Sequence, residues 1–86
     1  MTHEIKIKEV FADAVISGRK TFEIRKNDRG YNVGDLIKFH VVDDYGISVR
    51  HDLNFFLYQI SYVLSGWGLQ PDYVVFGIQR VEEAKK

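Results

Sequence analysis

From His3 to Ile7 polar and apolar residues alternate, Ile5 and Ile7 being separated by charged neighbours, and this period of two predicts a half-buried strand. Between Lys8 and Ser17 the spacing lengthens to three and four through Val10, Phe11, Ala14 and Val15, which predicts a helix with one apolar side. Gly18 predicts its stop, since a glycine past the last turn can take the left-handed conformation, and Arg19 and Lys20 suit the negative helix end. Alternation returns over Thr21 to Arg25. It predicts a strand with Phe22 and Ile24 on one face and Thr21, Glu23 and Arg25 on the other.

Asn27, Asp28 and Gly30, then Gly34 with Asp35, predict two turns before a strand over Leu36 to Val42 with Ile37, Phe39 and Val41 in phase. Asp43, Asp44, Tyr45 and Gly46 carry turn chemistry, so a hairpin should return through Ile47 to Val49. Leu53 to Leu64 fits both a helical stripe and a strand, and its β-branched and aromatic content favours strand from about Leu57. Ser65 to Asp72 reads as a loop, Tyr73 to Ile78 as a last buried strand, and the charged tail as frayed. Five or six short strands with one early helix predict a mixed α+β, mainly β fold. Its sheet should curl into a small barrel, which leaves few open edges.

An apolar share of 45% in 86 residues is too high for disorder and too short for two cores, so residues 1–86 should form a single domain. No basic region leads into an apolar run near Met1, and no stretch approaches the roughly 20 apolar residues of a membrane-spanning helix. The absence of cysteine excludes disulfides, thiolate nucleophiles and sulfur-ligated zinc, and fits a reducing, cytoplasmic compartment. Twelve basic residues balance twelve acidic ones, so no global field draws the chain onto nucleic acid or lipid. Arg19 to Arg29 breaks that balance, with five cations against two carboxylates. A solvated strand and turn is the simplest reading of such a cluster, and a local anion site the alternative.

His3, His40 and His51 match no metal-ligand spacing, and no cofactor is expected. Gly66, Trp67 and Gly68 match neither the dinucleotide fingerprint nor the phosphate loop. Trp67, with Tyr62 and Tyr73 nearby in sequence, either stacks on a base or caps the open end of the core. The six phenylalanines read as mostly core, and Tyr31 and Tyr45 sit in turns.

Gly18, Lys20, Thr21, Glu23 and Arg25 form the pattern G-x-K-T-x-E-x-R where helix stop, strand and polar face coincide. In this, in the opening His3, Glu4 and Ile5, in the turn at Val33, Gly34 and Asp35, and in the closing Tyr73, Val74, Val75 and Gly77, the chain resembles ASCH domains of the PUA-like superfamily. The resemblance implies a small PUA-like β-barrel with a cleft beside the first helix, and RNA or a nucleotide as ligand. On that reading Gly18, Lys20, Thr21, Glu23, Arg25 and Lys26 line the site and Trp67 assists. Cations hold phosphates, and a carboxylate accepts from a base amino group. Glu23 has a second role open to it, an ion pair with Arg25 that holds the barrel mouth.

Some ASCH relatives deacetylate modified cytidine with a threonine nucleophile at the position Glu23 occupies here. Thr21 lies two residues earlier, about 6.6 Å along a strand, too far to substitute. An amidohydrolase on a modified nucleoside would therefore use Glu23 as base and Lys20 as oxyanion partner. A protein-interaction module presenting Leu53 to Tyr58 or a sheet edge is the third reading, and a monomer is the expected state.

Overall fold

Strand β1 (Thr2–Lys8) buries His3, Ile5 and Ile7 and exposes the residues between them, as alternation requires. The computed structural model describes residues 1–81; the tail expected to fray lies mostly outside them. After β1 come helix α1 (Glu9–Ile16), β2 (Phe22–Lys26), β3 (Leu36–Val42), a single 3₁₀ turn (Asp52–Phe55), β4 (Leu57–Ser65) and β5 (Tyr73–Arg80). The five strands form one mixed sheet in the order β1-β3-β4-β5-β2. Only β1 and β3 are parallel; β3–β4, β4–β5 and β5–β2 are antiparallel. This is a small mixed α+β, mainly β fold whose sheet curls into a half-barrel. β1 and β2 are the two edges, and no backbone ladder joins them.

The concave face holds the core. Ile37, Phe39, Ile60 and Phe76 from the strands meet Ala12 and Val15 of α1, Leu53 of the 3₁₀ turn and Tyr31 of the β2–β3 loop. Tyr31, expected only in a turn, is buried, with its ring 4.7 Å from that of His3 and 4.8 Å from that of Phe76. Burial pushes its phenol pKa up. No described helix is long and apolar enough to cross a membrane.

Several expectations are corrected. The chain does turn back over Ile47 to Val49, with the Asp43 N–H on the Ile47 carbonyl, the Val49 N–H on that of Val41 and an antiparallel Val42–Ser48 bridge, but the pairing is too short for a strand because Asp43 Oδ1 takes the backbone N–H groups of Tyr45 and Ile47. In α1 the buried positions are Ala12 and Val15, whereas Val10 and Phe11 are exposed. Phe22 and Phe55 are exposed as well, so half of the phenylalanines lie outside the core. Gly18 does close the helix, at φ +84°, with its N–H on the Val15 carbonyl and those of Arg19 and Lys20 on Ala14. The segment before Leu57, ambiguous in sequence, is pinned by His51. Its Nδ1 accepts from the Leu53 N–H, so Nε2 carries the proton that it donates to Asp13 of α1 at 2.7 Å.

One buried polar pair ties the N-terminal strand down. His3 Nε2 lies 2.8 Å from Asp35 Oδ2, which also accepts from the Asn32 N–H, and the terminal amine is 3.6 Å from Oδ1. The hydrogen bond from His3 is the main cause that holds the Asp35 carboxyl below its ordinary 3.8. The folded chain therefore binds fewer protons than the unfolded chain around that pH. This stabilisation is complete above the unfolded value and is lost as pH falls through the lower folded one. Chemical denaturation should show the wild type losing stability below about pH 4, with a shallower loss in Asp35→Asn, which has no carboxyl to titrate. At neutral pH, Asp35→Ala should cost about 2 kcal/mol.

Candidate functional site

The unclosed seam between β1 and β2 is a cleft of about 410 Å³, lined by Lys6, Ile7 and Lys8 of β1, Phe11 of α1, Lys20, and Phe22 to Arg25 of β2. In β2 the orientation is the reverse of what a closed core would demand. Glu23 is 3% exposed on the concave side, whereas Phe22 and Ile24 are 43% and 50% exposed. Beside an open seam the inner side of an edge strand meets a polar gap rather than the apolar core, so alternation sets the phase of β2 without deciding which phase is buried.

A buried carboxylate is tolerated only when paired. Glu23 Oε1 accepts from Arg25 Nε at 3.0 Å and lies 2.9 Å from Nη2 of the same guanidinium, and Oε2 pairs with the Lys20 ammonium. Arg25 Nη2 also donates to the Lys6 carbonyl at 2.7 Å, and Arg29 donates to that of Glu4. These are free-edge carbonyls of β1, and the two guanidinium groups bridge the seam in place of a ladder. The Lys20 ammonium lies 5.4 Å from the Phe22 ring centroid and 5.5 Å from that of Phe11, within cation–π range of both.

Of the residues expected at the site, the fold brings Lys20, Glu23 and Arg25 together. The other four lie elsewhere. Gly18 and Thr21 line a separate depression of about 170 Å³ with Tyr58, Ile78 and Arg80, and Lys20 is the wall common to both hollows. Lys26 is exposed at the end of β2 and lines neither. Trp67 is 88% exposed in the β4–β5 loop, so it does not cap the core and does not line the cleft. Missed in the sequence were Phe11, whose helical spacing suggested core, Lys6, which looked like the solvent face of a strand, and Lys8, which was placed at the start of the helix. Their signal was β1 being an edge, a property of strand order.

The sequence profile of a family described as a Domain of unknown function (DUF3850) matches residues 2–78, every strand included except the end of β5. The chain belongs to this family. The chain is also similar to the "Uncharacterized 12.9 kDa protein in GpA 3'region" of Escherichia phage P2, 42% identical over 38 residues. That alignment covers 44% of this chain and 35% of the phage protein, so the chain spans about a third of the relative it matches. The family description carries no activity. The chemistry of the DUF3850 cleft is therefore read from its residues: a buried carboxylate paired with two cations, cations on both banks and two aromatic rings.

If Glu23 is the hub of this ion network, Glu23→Gln leaves two partly buried cations short of charge and should destabilise the fold by about 2 kcal/mol in urea unfolding. Arg25→Ala should cost about 1 to 2 kcal/mol, and a double-mutant cycle with Glu23 should show coupling above about 0.5 kcal/mol.

Proposed function

We propose that this protein binds single-stranded RNA or a nucleotide in the seam cleft. The observation that carries the reading is the hydrogen-bond count at Glu23. An ionised carboxylate has about four acceptor sites; the Arg25 Nε–H takes one at Oε1 and the Lys20 ammonium one at Oε2. The remaining capacity is left to accept from the exocyclic amino group of a base. Phe11 and Phe22 offer faces for stacking, and Lys6 and Lys8, exposed on the β1 bank and without a carboxylate partner among the described residues, suit a phosphate. Lys20 and Arg25 each retain unused donors for a base carbonyl. The G-x-K-T-x-E-x-R resemblance to ASCH domains of the PUA-like superfamily supports the same reading, and with it a cytoplasmic setting.

Calorimetry at low salt with the four ribonucleoside 5′-monophosphates tests this. Adenylate, cytidylate and guanylate should bind saturably, and uridylate, lacking an exocyclic amino group, at least about fivefold more weakly. Replacing Lys6 and Lys8 by alanine should weaken binding about tenfold and lower the salt slope by about 1 to 2. Failure of every nucleotide and of a short single-stranded RNA to bind would remove the proposal.

A further inference from the structure

The convex side of β2, β5 and β4 carries exposed apolar side chains that begin at the cleft rim with Phe22 and Ile24 and continue beyond it. Directly paired residues share a face, so register places Phe22, Gly77 and Tyr62 in one row and Ile24, Val75 and Leu64 in the next, with Lys26 beside Tyr73 beyond them. Tyr62 is 63% exposed, and Phe22 and Ile24 are each nearly half exposed. The two rings stand two strand spacings apart, about 10 Å, with Gly77 between them, its missing side chain leaving room for the Ser61 hydroxyl. Past the end of these rows, Trp67 sits in the left-handed region at φ +55°, between Gly66 and Gly68, which are also at positive φ. A tryptophan rarely adopts this backbone, and here the conformation accompanies a side chain left almost wholly in solvent.

Resting on the cleft reading, we infer that this face extends the nucleotide site into a path for single-stranded RNA, with successive bases stacking on Phe22, Tyr62 and Trp67. Two features favour RNA as the occupant. Phe22 and Ile24 line the cleft as well, so the face is continuous with it across edge strand β2. The outward positions of β2, β5 and β4 named above include one cation, Lys26, and no carboxylate, which suits a polyanion carrying planar bases. The charge-poor stretch between the rings matches sequence-tolerant stacking, in which aromatic contacts hold the bases and the rim cations follow the backbone.

The full chain should be titrated with alternating adenosine–cytidine RNA of one, three and six nucleotides, reading the fluorescence of Trp67, its single tryptophan. Affinity should rise at least about tenfold from one nucleotide to six, and the hexamer alone should quench Trp67. Tyr62→Ala should remove most of that gain while leaving mononucleotide affinity unchanged, and Trp67→Phe, followed by anisotropy of labelled RNA, should weaken the hexamer only. A mononucleotide that binds as tightly as the hexamer would overturn the path and leave the cleft standing. No binding at any length would overturn both. Sedimentation showing a dimer that Tyr62→Ala dissolves would overturn the path by assigning the face to a second copy of the chain.

Discussion

The pairing of Glu23 with Lys20 and Arg25 is the contact on which this half-barrel turns. The sheet does not close, so β1 and β2 face each other across a gap without a ladder, and the backbone groups along that gap need other partners. Arg25 supplies them by bonding Glu23 on its own strand and the Lys6 carbonyl on the opposite one. A buried carboxylate without these cations would cost several kcal/mol. With them it fixes the width of the opening and sets charge at its base.

From that constraint follows the inverted face of β2. In a closed barrel Phe22 and Ile24 would turn inward and Glu23 and Arg25 outward, because apolar burial would outweigh any surface ion pair. Here the inward side of the edge strand meets a polar gap, and Phe22 and Ile24 are displaced to the rim and the convex face. The same displacement places aromatic surface beside the cleft. The open architecture and the aromatic surface beside the cleft thus share one cause, an open edge held by charge.

The opposite end of β1 is secured differently. His3, Asp35 and the terminal amine form a compact polar group roofed by Tyr31, and the Asn27–Asp35 segment folds over it through Asn27 Oδ1 and Arg29. This buried pair orients β1 against β3, whereas the ions of the seam orient β1 against β2. The edge strand that contributes Lys6 and Lys8 to the cleft is therefore held from both sides.

Alternation and turn residues were enough to place β1, β2, β3 and β5, the stop at Gly18 and the mainly β class, since these depend on local periodicity and on the φ angles that glycine permits. The trio Lys20, Glu23 and Arg25 was legible for the same reason, its members lying within six residues. The 3₁₀ turn at Asp52 was not, because it is fastened by a long-range bond from His51 to Asp13. Nor was the company that trio keeps. Lys6, Lys8 and Phe11 join it because strand order puts β1 and β2 at opposite edges of one curled sheet, and Thr21 and Trp67 leave it because the chain turns away on either side. Sequence determined which residues share a strand face; only the tertiary structure decided which face is inside, because burial is a property of what lies across the gap.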